Sequence, residues 1–506
     1  MTSVEKTPYQ AASSGQHRAS QHEHPASMTH EPSNPPEQVD VVVVGSGFGS
    51  LFFVEGFLRK RPHAKILILE RGPFNSHAWQ LENKKNSSIA HDSTFRTDAA
   101  NKAWNFTLGL GGGTNCWYGQ TPRFHPSDFR MRSQYGVAQD WPLDYAELEP
   151  YYVAAETKMS VAGAPEMGDL MPRSAPFPQP PHKLTAVDKI MRQAQPEFHF
   201  PIATARASVA TAERPPCCAS ARCNLCPVNA KFTFENGFAN LRNQPNVEFR
   251  LECEVTQLDS ANGVVRAAVY RHGGVERRVT ADLFVLGANA IHSPAILLRS
   301  GIDRPLTGVG IHEQVGYGLE VLLDGVDSLD GGTITTALNF ALYDGAFRKD
   351  YAGALIYFDN RWPYGLRKEY GRWRQLAPLV VVVEDLPEDA NRVTLDSDGT
   401  PLVTHASVSD YAKRGVKESL AKIEQVLNPL PVERIDFKGM RDTESHIQGS
   451  LRMGADPASS VVDAKQIHHD VRNLVVVGSS VFPSGPNCNP SLSVAALSLR
   501  SADLVA

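Results

Sequence analysis

Three groups of residues in this 506-residue chain are of types and spacings that can do chemistry. His446 stands 43 residues ahead of an Asn-Pro step, Asn489-Pro490, that opens an apolar run. A neutral imidazole, with an unperturbed pKa of about 6.5, is suited to proton transfer near neutral pH. An asparagine cannot act as a base there, but it can donate or accept a hydrogen bond. Near the other end, Gly45 and Gly47 follow a run of valines, and Glu70 comes 25 residues after Gly45. Glycines so placed let backbone N–H groups approach a pyrophosphate, and the acid can accept hydrogen bonds from ribose hydroxyls. In between, Cys217, Cys218, Cys223 and Cys226 fall within ten residues, which marks a local site and not a disulfide framework.

The elements around these residues can be read from pattern. VDVVVVGSGFGS, from Val39, is a buried strand running into glycines. A helix over 51–59 and a strand KILILE ending at Glu70 complete a strand–turn–helix–strand unit, with Ser50 where a third glycine is usual. That order makes a dinucleotide site a strong inference, without choosing between NAD and FAD. GLGGGTNCWYGQTPRF, residues 109–124, is a glycine-dense loop that can pass close to a flat ligand. Residues 140–160 read as a capped amphipathic helix, and 165–216 as proline-rich and irregular. Residues 247–259 and 264–290 alternate like strands, with Gly273-Gly274 as a hairpin turn. The next helix is expected to start at Ser293 as N-cap with Pro294 at its first position.

From about 317 to 440 the pattern turns strand-rich: GLEVLLDGV, TITTALNFALYD, ALIYFDNRW, PLVVVVEDL, RVTLD and LVTHASVS predict one antiparallel sheet in a second domain. A loop bearing Trp362, Tyr364, Tyr370 and Trp373 among Arg361, Arg367, Arg372 and Arg374 suits a sugar-like ligand, or simply packs on the sheet. A helix over 411–427 precedes the segment that carries His446, a buried strand NLVVVGSS and a terminal helix from Leu492.

Composition limits the rest. A chain this long exceeds one hydrophobic core, so two or more domains are expected. The net charge of −5 leaves no footprint for nucleic acid or an anionic membrane. No apolar run reaches the roughly 18 residues of a spanning helix, and residues 1–37, rich in Ser, His, Gln and Pro, predict a disordered tail. No export signal is visible, so a cytoplasmic location is expected, with periplasmic co-export beside a partner as the alternative.

Taken together, VVVVGSGFGS with Glu70, GLGGGTNCWYG, ANAIHSPAILLRSGI, and HIQGSLRMGADPASSVVD followed by NLVVVGSSVFPSGPNCNPSLSVAALSLRSADL resemble the glucose–methanol–choline family of flavin oxidoreductases. The resemblance covers nearly everything after residue 38. It implies an α/β fold: a Rossmann-type FAD-binding domain (38–130, 232–316 and 441–506) and a substrate domain on an antiparallel sheet (131–231 and 317–440), with a cysteine-rich loop at 215–231. It implies FAD held by Gly45, Gly47, Phe48, Glu70, Gly112, Gly113, Asn115, Cys116, Trp117, Val255, Ala288, Ser479 and Pro490. It places His446 and Asn489 on either side of a substrate hydroxyl whose carbon gives hydride to flavin N5. WYGQTPRF looks like the pyranose oxidase branch, where a histidine before the tryptophan is joined to the flavin. Cys116 stands there instead, which excludes a histidyl link and leaves a dissociable FAD expected, with a cysteinyl link as the alternative.

Cys217, Cys218 and Cys223, followed by CPVNAK, resemble the cysteine motif of bacterial FAD-dependent sugar dehydrogenases, which implies a 3Fe-4S cluster with Cys226 as a fourth ligand or a bystander. A zinc site, a disulfide and plain thiols stay open as alternatives. The leading expectation is a dehydrogenase of a sugar or polyol alcohol that passes electrons to a partner protein or small subunit. An oxidase using O₂ comes next, and a non-redox flavoprotein lyase is the remotest.

Overall fold

A computed structural model describes residues 37–99, 102–360 and 371–506. The expected N-terminal tail and most of the Trp/Tyr/Arg loop, residues 361–370, lie outside these.

Strand Glu37–Val44 is buried from Val41 onward and sits in the middle of an eight-stranded sheet. It pairs in parallel with Ile66–Leu69 on one side and Val275–Leu286 on the other, with Val44 level with both Leu69 and Leu286. Val247–Arg250 extends the sheet beyond Ile66–Leu69, and Val471–Val476 extends it beyond Val275–Leu286, both in parallel. Five parallel strands therefore end together, and Gly45, Glu70 and Gly287 follow directly at their carboxyl ends. Open α/β sheets bind ligands at that edge. Cys253–Ala261 and Val264–His272 add an antiparallel hairpin. Residues 247–259 are two strands and not one, because Glu252 takes a left-handed turn at φ 56° between them.

Helix Phe48–Lys60 begins at Gly47 and packs against the C-terminal helix Ser491–Val505. Gly56 makes the approach close: a Cβ there would lie 3.0 Å from the Ala502 methyl. Helix Tyr145–Met159 joins the same layer through a 2.6 Å hydrogen bond between the hydroxyls of Tyr152 and Ser493. Asp144 caps it by accepting from the Glu147 N–H at 2.9 Å. Asp144→Ala is expected to cost about 1 kcal/mol, read as a lower midpoint in urea unfolding.

The second sheet is antiparallel and six-stranded, in the order Val432–Met440, Val315–Leu323, Leu376–Val383, Ala354–Asp359, Thr335–Asn339, His199–Pro201. Alternation divides its faces. Ile356, Phe358, Val381 and Val383 join a core beneath helix Asp410–Leu427. Tyr357, Val380 and Val382 look the other way, into a cavity shared with the first sheet.

Four expectations needed correction. RVTLD and LVTHASVS leave the substrate sheet and form a separate three-stranded sheet with Arg96–Thr97. Val432–Met440, unrecognised in sequence, is an edge strand of the substrate sheet. Residues 165–216 contain a helix, Ala186–Ala194, with a Thr185/Asp188 capping box. The helix expected to start at Ser293 starts at Asn289, whose Oδ1 accepts from the N–H groups of Ile291 and His292, and Pro294 lies inside it. Proline removes the N–H that would bond the Ala290 carbonyl. The Ser450 hydroxyl donates to that carbonyl instead, at 2.8 Å.

Candidate active site

The cavity between the sheets has a volume of about 1320 Å³. Drug-sized pockets run to about 1,000 Å³, so there is room for a dinucleotide and a substrate together. Of the expected cofactor residues, Gly45, Gly47, Phe48, Glu70, Gly112, Gly113, Cys116, Trp117, Val255, Ala288, Ser479 and Pro490 line it, as do His446 and Asn489. Asn115 does not. It is buried behind the loop, where its Nδ2 donates to the Leu110 carbonyl at 2.9 Å and so holds the glycine turn.

The phosphate end is built by close approach. Gly45 has φ 86°, and a Cβ there would lie 2.7 Å from the Gly287 carbonyl oxygen. A Cβ on Gly47 would meet nothing within 4 Å, since that residue faces open space. The helix starting there has no side-chain cap and no acid in its first turn, which leaves its N–H groups and positive dipole end for an anion. The small Ser50 does permit close packing, as its hydroxyl would lie 2.2 Å from a Cβ on Gly287. Glu70 acts as a staple between loops: Oε2 accepts from the Ser46 N–H and hydroxyl, and Oε1 from the N–H groups of Gly72 and Gly109. Trp117 stands edge-on to Phe48, ring centroids 4.6 Å apart, and its indole N–H donates to the Phe232 carbonyl at 2.8 Å. These features fit a flavin dinucleotide.

The catalytic end brings His446 and Asn489 together, with Asn489 Nδ2 3.1 Å from His446 Nε2. Tyr357 donates its hydroxyl to Asn489 Oδ1 at 2.8 Å, and the Asn489 amide N–H faces the imidazole. His446 Nδ1 lies 3.1 Å from Gln314 Oε1. The backbone N–H of His446 donates to Glu313 at 3.0 Å, and Glu313 is also paired with Lys102. Burial holds the His446 pKa down to about 3, aided by the positive charges of Arg441 and Lys102. Glu313, Gln314 and Tyr357 were missed in sequence. Tyr357 alternates onto the cavity face of its strand, a usable signal, whereas nothing in GIHEQVG distinguishes Gln314.

The cysteine loop borders the same cavity. Ala221 and Cys223 pack with Ile334, and Ile334 and Asn224 line the space. Cys223 and Cys226 are buried, Cys217 is half-buried and Cys218 is exposed. Among the described residues, no three His, Cys, Asp or Glu side chains are gathered as a metal site. Two buried cations stand beside the thiols. Arg206 donates to Cys223 Sγ at 3.2 Å, while its Nε and Nη2 have no hydrogen-bond partner. Lys231 donates to the carbonyls of Asn115 and Trp117, both at 2.8 Å. Cys253, Cys488 and His468 are buried.

A dinucleotide cradle facing a buried imidazole–amide pair across one cavity fits the class of dinucleotide-dependent oxidoreductases. The family model described as GMC oxidoreductase matches residues 387–498. Paromamine 6'-oxidase of Streptomyces fradiae is 30% identical over 92% of this chain and 91% of that protein. The chain belongs to the GMC oxidoreductase family, and FAD is its cofactor. It is also similar to the fructose dehydrogenase large subunit of Gluconobacter japonicus, 26% identical over 94% of this chain and 98% of that protein. The crystal structure of pyridoxine 4-oxidase from Mesorbium loti shares the fold, with a TM-score of 0.67 and 18% identity over 92% of this chain and 99% of that one. Among the described residues, no helix is long and apolar enough to cross a membrane.

Proposed function

We propose that this enzyme oxidises a primary or secondary alcohol of a sugar, glycoside or related polyol. The observation that carries the proposal is the 3.1 Å approach of His446 and Asn489 at the wall of the cavity. FAD, when bound, supplies the hydride acceptor. The substrate hydroxyl enters between the two side chains and displaces their mutual bond: His446 Nε2 takes the hydroxyl proton, and Asn489 Nδ2 donates to the oxygen as negative charge grows on it. Tyr357, hydrogen-bonded to Asn489 Oδ1, holds the plane of that amide at the wall. The apolar faces of Val380 and Val382 limit water around the reacting carbon.

The sugar class is supported by the two sugar-acting relatives and by polar groups along the chamber. Gln120 donates to the Thr335 hydroxyl at 2.8 Å, and Asp359, pushed up to about 6 by burial, lines the wall beside them. Anaerobic flavin bleaching by a panel of sugars, amino sugars and simple alcohols tests the proposal. Bleaching by simple alcohols alone would sink the sugar class.

Two exits for the electrons remain distinct. The cysteine spacing and the buried positive charge of Arg206 and Lys231 support an iron–sulfur cluster that feeds a partner protein. Thiols that serve only as structure, with Cys218 exposed, leave direct return to O₂ as the other exit. Protein prepared without air that carries iron and sulfide, with broad absorption beyond the flavin bands, selects the partner route. Iron-free protein making peroxide in step with product selects the oxidase.

The pH dependence of the base follows from its burial. His446 must be neutral to accept a proton, and with its pKa near 3 it is neutral throughout ordinary pH. The rate of flavin reduction measured from pH 5 to 8 is therefore expected to show no rising limb near 6.5. A limb there would mean that His446 titrates as if solvated.

A further inference from the structure

We propose that Gln314 is the positioning residue that makes His446 Nε2 the proton-accepting atom. The proposal rests on His446 being the base, as argued above, and adds the group that selects its tautomer.

Gln314 is 3% exposed and stands directly before strand Val315–Leu323 of the substrate sheet. Its Nε2 donates two hydrogen bonds, to the Pro486 carbonyl at 2.6 Å and the Cys488 carbonyl at 3.0 Å. Both amide hydrogens are thereby used, and turning the amide over would set its oxygen against two carbonyl oxygens. Oε1 must therefore face His446 Nδ1, 3.1 Å away, and an oxygen there accepts only from a protonated nitrogen. The proton of the neutral imidazole is thus held at Nδ1, and the lone pair is left at Nε2.

The opposite side of the ring is compatible with this tautomer. Tyr357 is hydrogen-bonded to Asn489 Oδ1, Asn489 presents Nδ2 to His446, and a donor facing Nε2 pairs with the lone pair on that atom. The two carbonyls that hold Gln314 belong to the segment ending at Asn489. One buried amide therefore ties the base and its partner into a single geometry. The backbone bond from His446 to Glu313 fixes the chain while Gln314 fixes the ring.

Two substitutions separate this role from packing. Gln314→Leu keeps the volume and removes the acceptor. Gln314→Glu keeps an oxygen for Nδ1–H, but its other oxygen faces the Pro486 and Cys488 carbonyls. Only the protonated acid fits, and it can donate to just one of them; this is the worse change for stability. Flavin reduction by a bleaching alcohol, with bound FAD and alcohol affinity measured separately, is the readout. Gln314→Leu is expected to reduce flavin about 10–100-fold more slowly with FAD and alcohol binding kept, as when a histidine loses the group that orients it. Gln314→Glu, which restores the acceptor and one of the two anchoring bonds, is expected to recover part of that loss. Wild-type rates in both variants overturn the proposal. So does a Glu variant slower than the Leu variant, or loss of FAD from either, since a structural role gives those results. Wild-type bleaching by His446→Ala would instead remove the base itself, a failure of the proposed function beneath.

Discussion

His446→Ala is expected to slow flavin reduction by alcohol about 10²–10⁴-fold, the usual contribution of a positioned base, while the protein keeps its FAD. The two effects separate because His446 contributes to the catalytic end of the cavity alone. The ring bonds to Gln314 and Asn489, and the phosphate end, built by Gly45, Gly47 and Glu70, stands on the other sheet. Removing the imidazole leaves Gln314 and Asn489 each short of one partner inside the cavity, where water can enter. The fold should tolerate this, so flavin absorbance after gel filtration should match wild type. Stopped-flow mixing with the alcohol without air measures the rate. Reduction as fast as wild type would assign proton removal to another group.

Gly45→Ala is expected to give protein without FAD and with a clearly lower melting temperature. Gly47→Ala is expected to fold normally and bind FAD weakly. The contrast follows from what a methyl group would touch. At Gly45, the left-handed φ of 86° strains any side chain, by about 1–3 kcal/mol, and the new Cβ would sit 2.7 Å from the Gly287 carbonyl oxygen. That oxygen is backbone of the neighbouring strand's end and cannot swing aside, so the junction of two central strands must open. At Gly47 the methyl group meets no protein atom within 4 Å and projects into the space at the helix N-terminus. Melting curves with and without added FAD, beside FAD titrations, measure both. Equal melting temperatures for the two variants would show that the Gly45 junction yields more easily than its packing indicates.

The central strand, its glycine turn and the acid after the second strand were legible because each is local: apolar runs, breakers and caps follow one another within 32 residues, from Val39 to Glu70. His446 and Asn489 were legible through motif, though their meeting is a matter of tertiary structure. What escaped had no local signature. Val432–Met440 reads VERIDFKGM, too polar for a strand by pattern, because it pairs on one side only and exposes Phe437 and Met440. RVTLD and LVTHASVS look like their neighbours, and only long-range pairing with Arg96–Thr97 sends them elsewhere. Pro294 marks a helix start by rule, but Ser450, far along the chain, satisfies the freed carbonyl and lets the helix begin earlier. Gln314 acts through amide orientation, which sequence does not encode in any short window.

The contact between the first and last helices has a consequence for how the enzyme is made. Helix Phe48–Lys60 leans on Ser491–Val505, and Gly49 comes so near Gly478 that a Cβ on it would lie 2.7 Å from the Gly478 nitrogen. During synthesis the N-terminal residues of the cradle emerge first, yet their packing partners are translated more than 400 residues later. A nascent chain therefore carries its glycine turn without these partners until they are made, a period in which unpaired apolar surface invites aggregation or chaperone capture. The cradle is complete only once helix Ser491–Val505 has been made, which couples the supply of active enzyme to the survival of a long, incomplete intermediate.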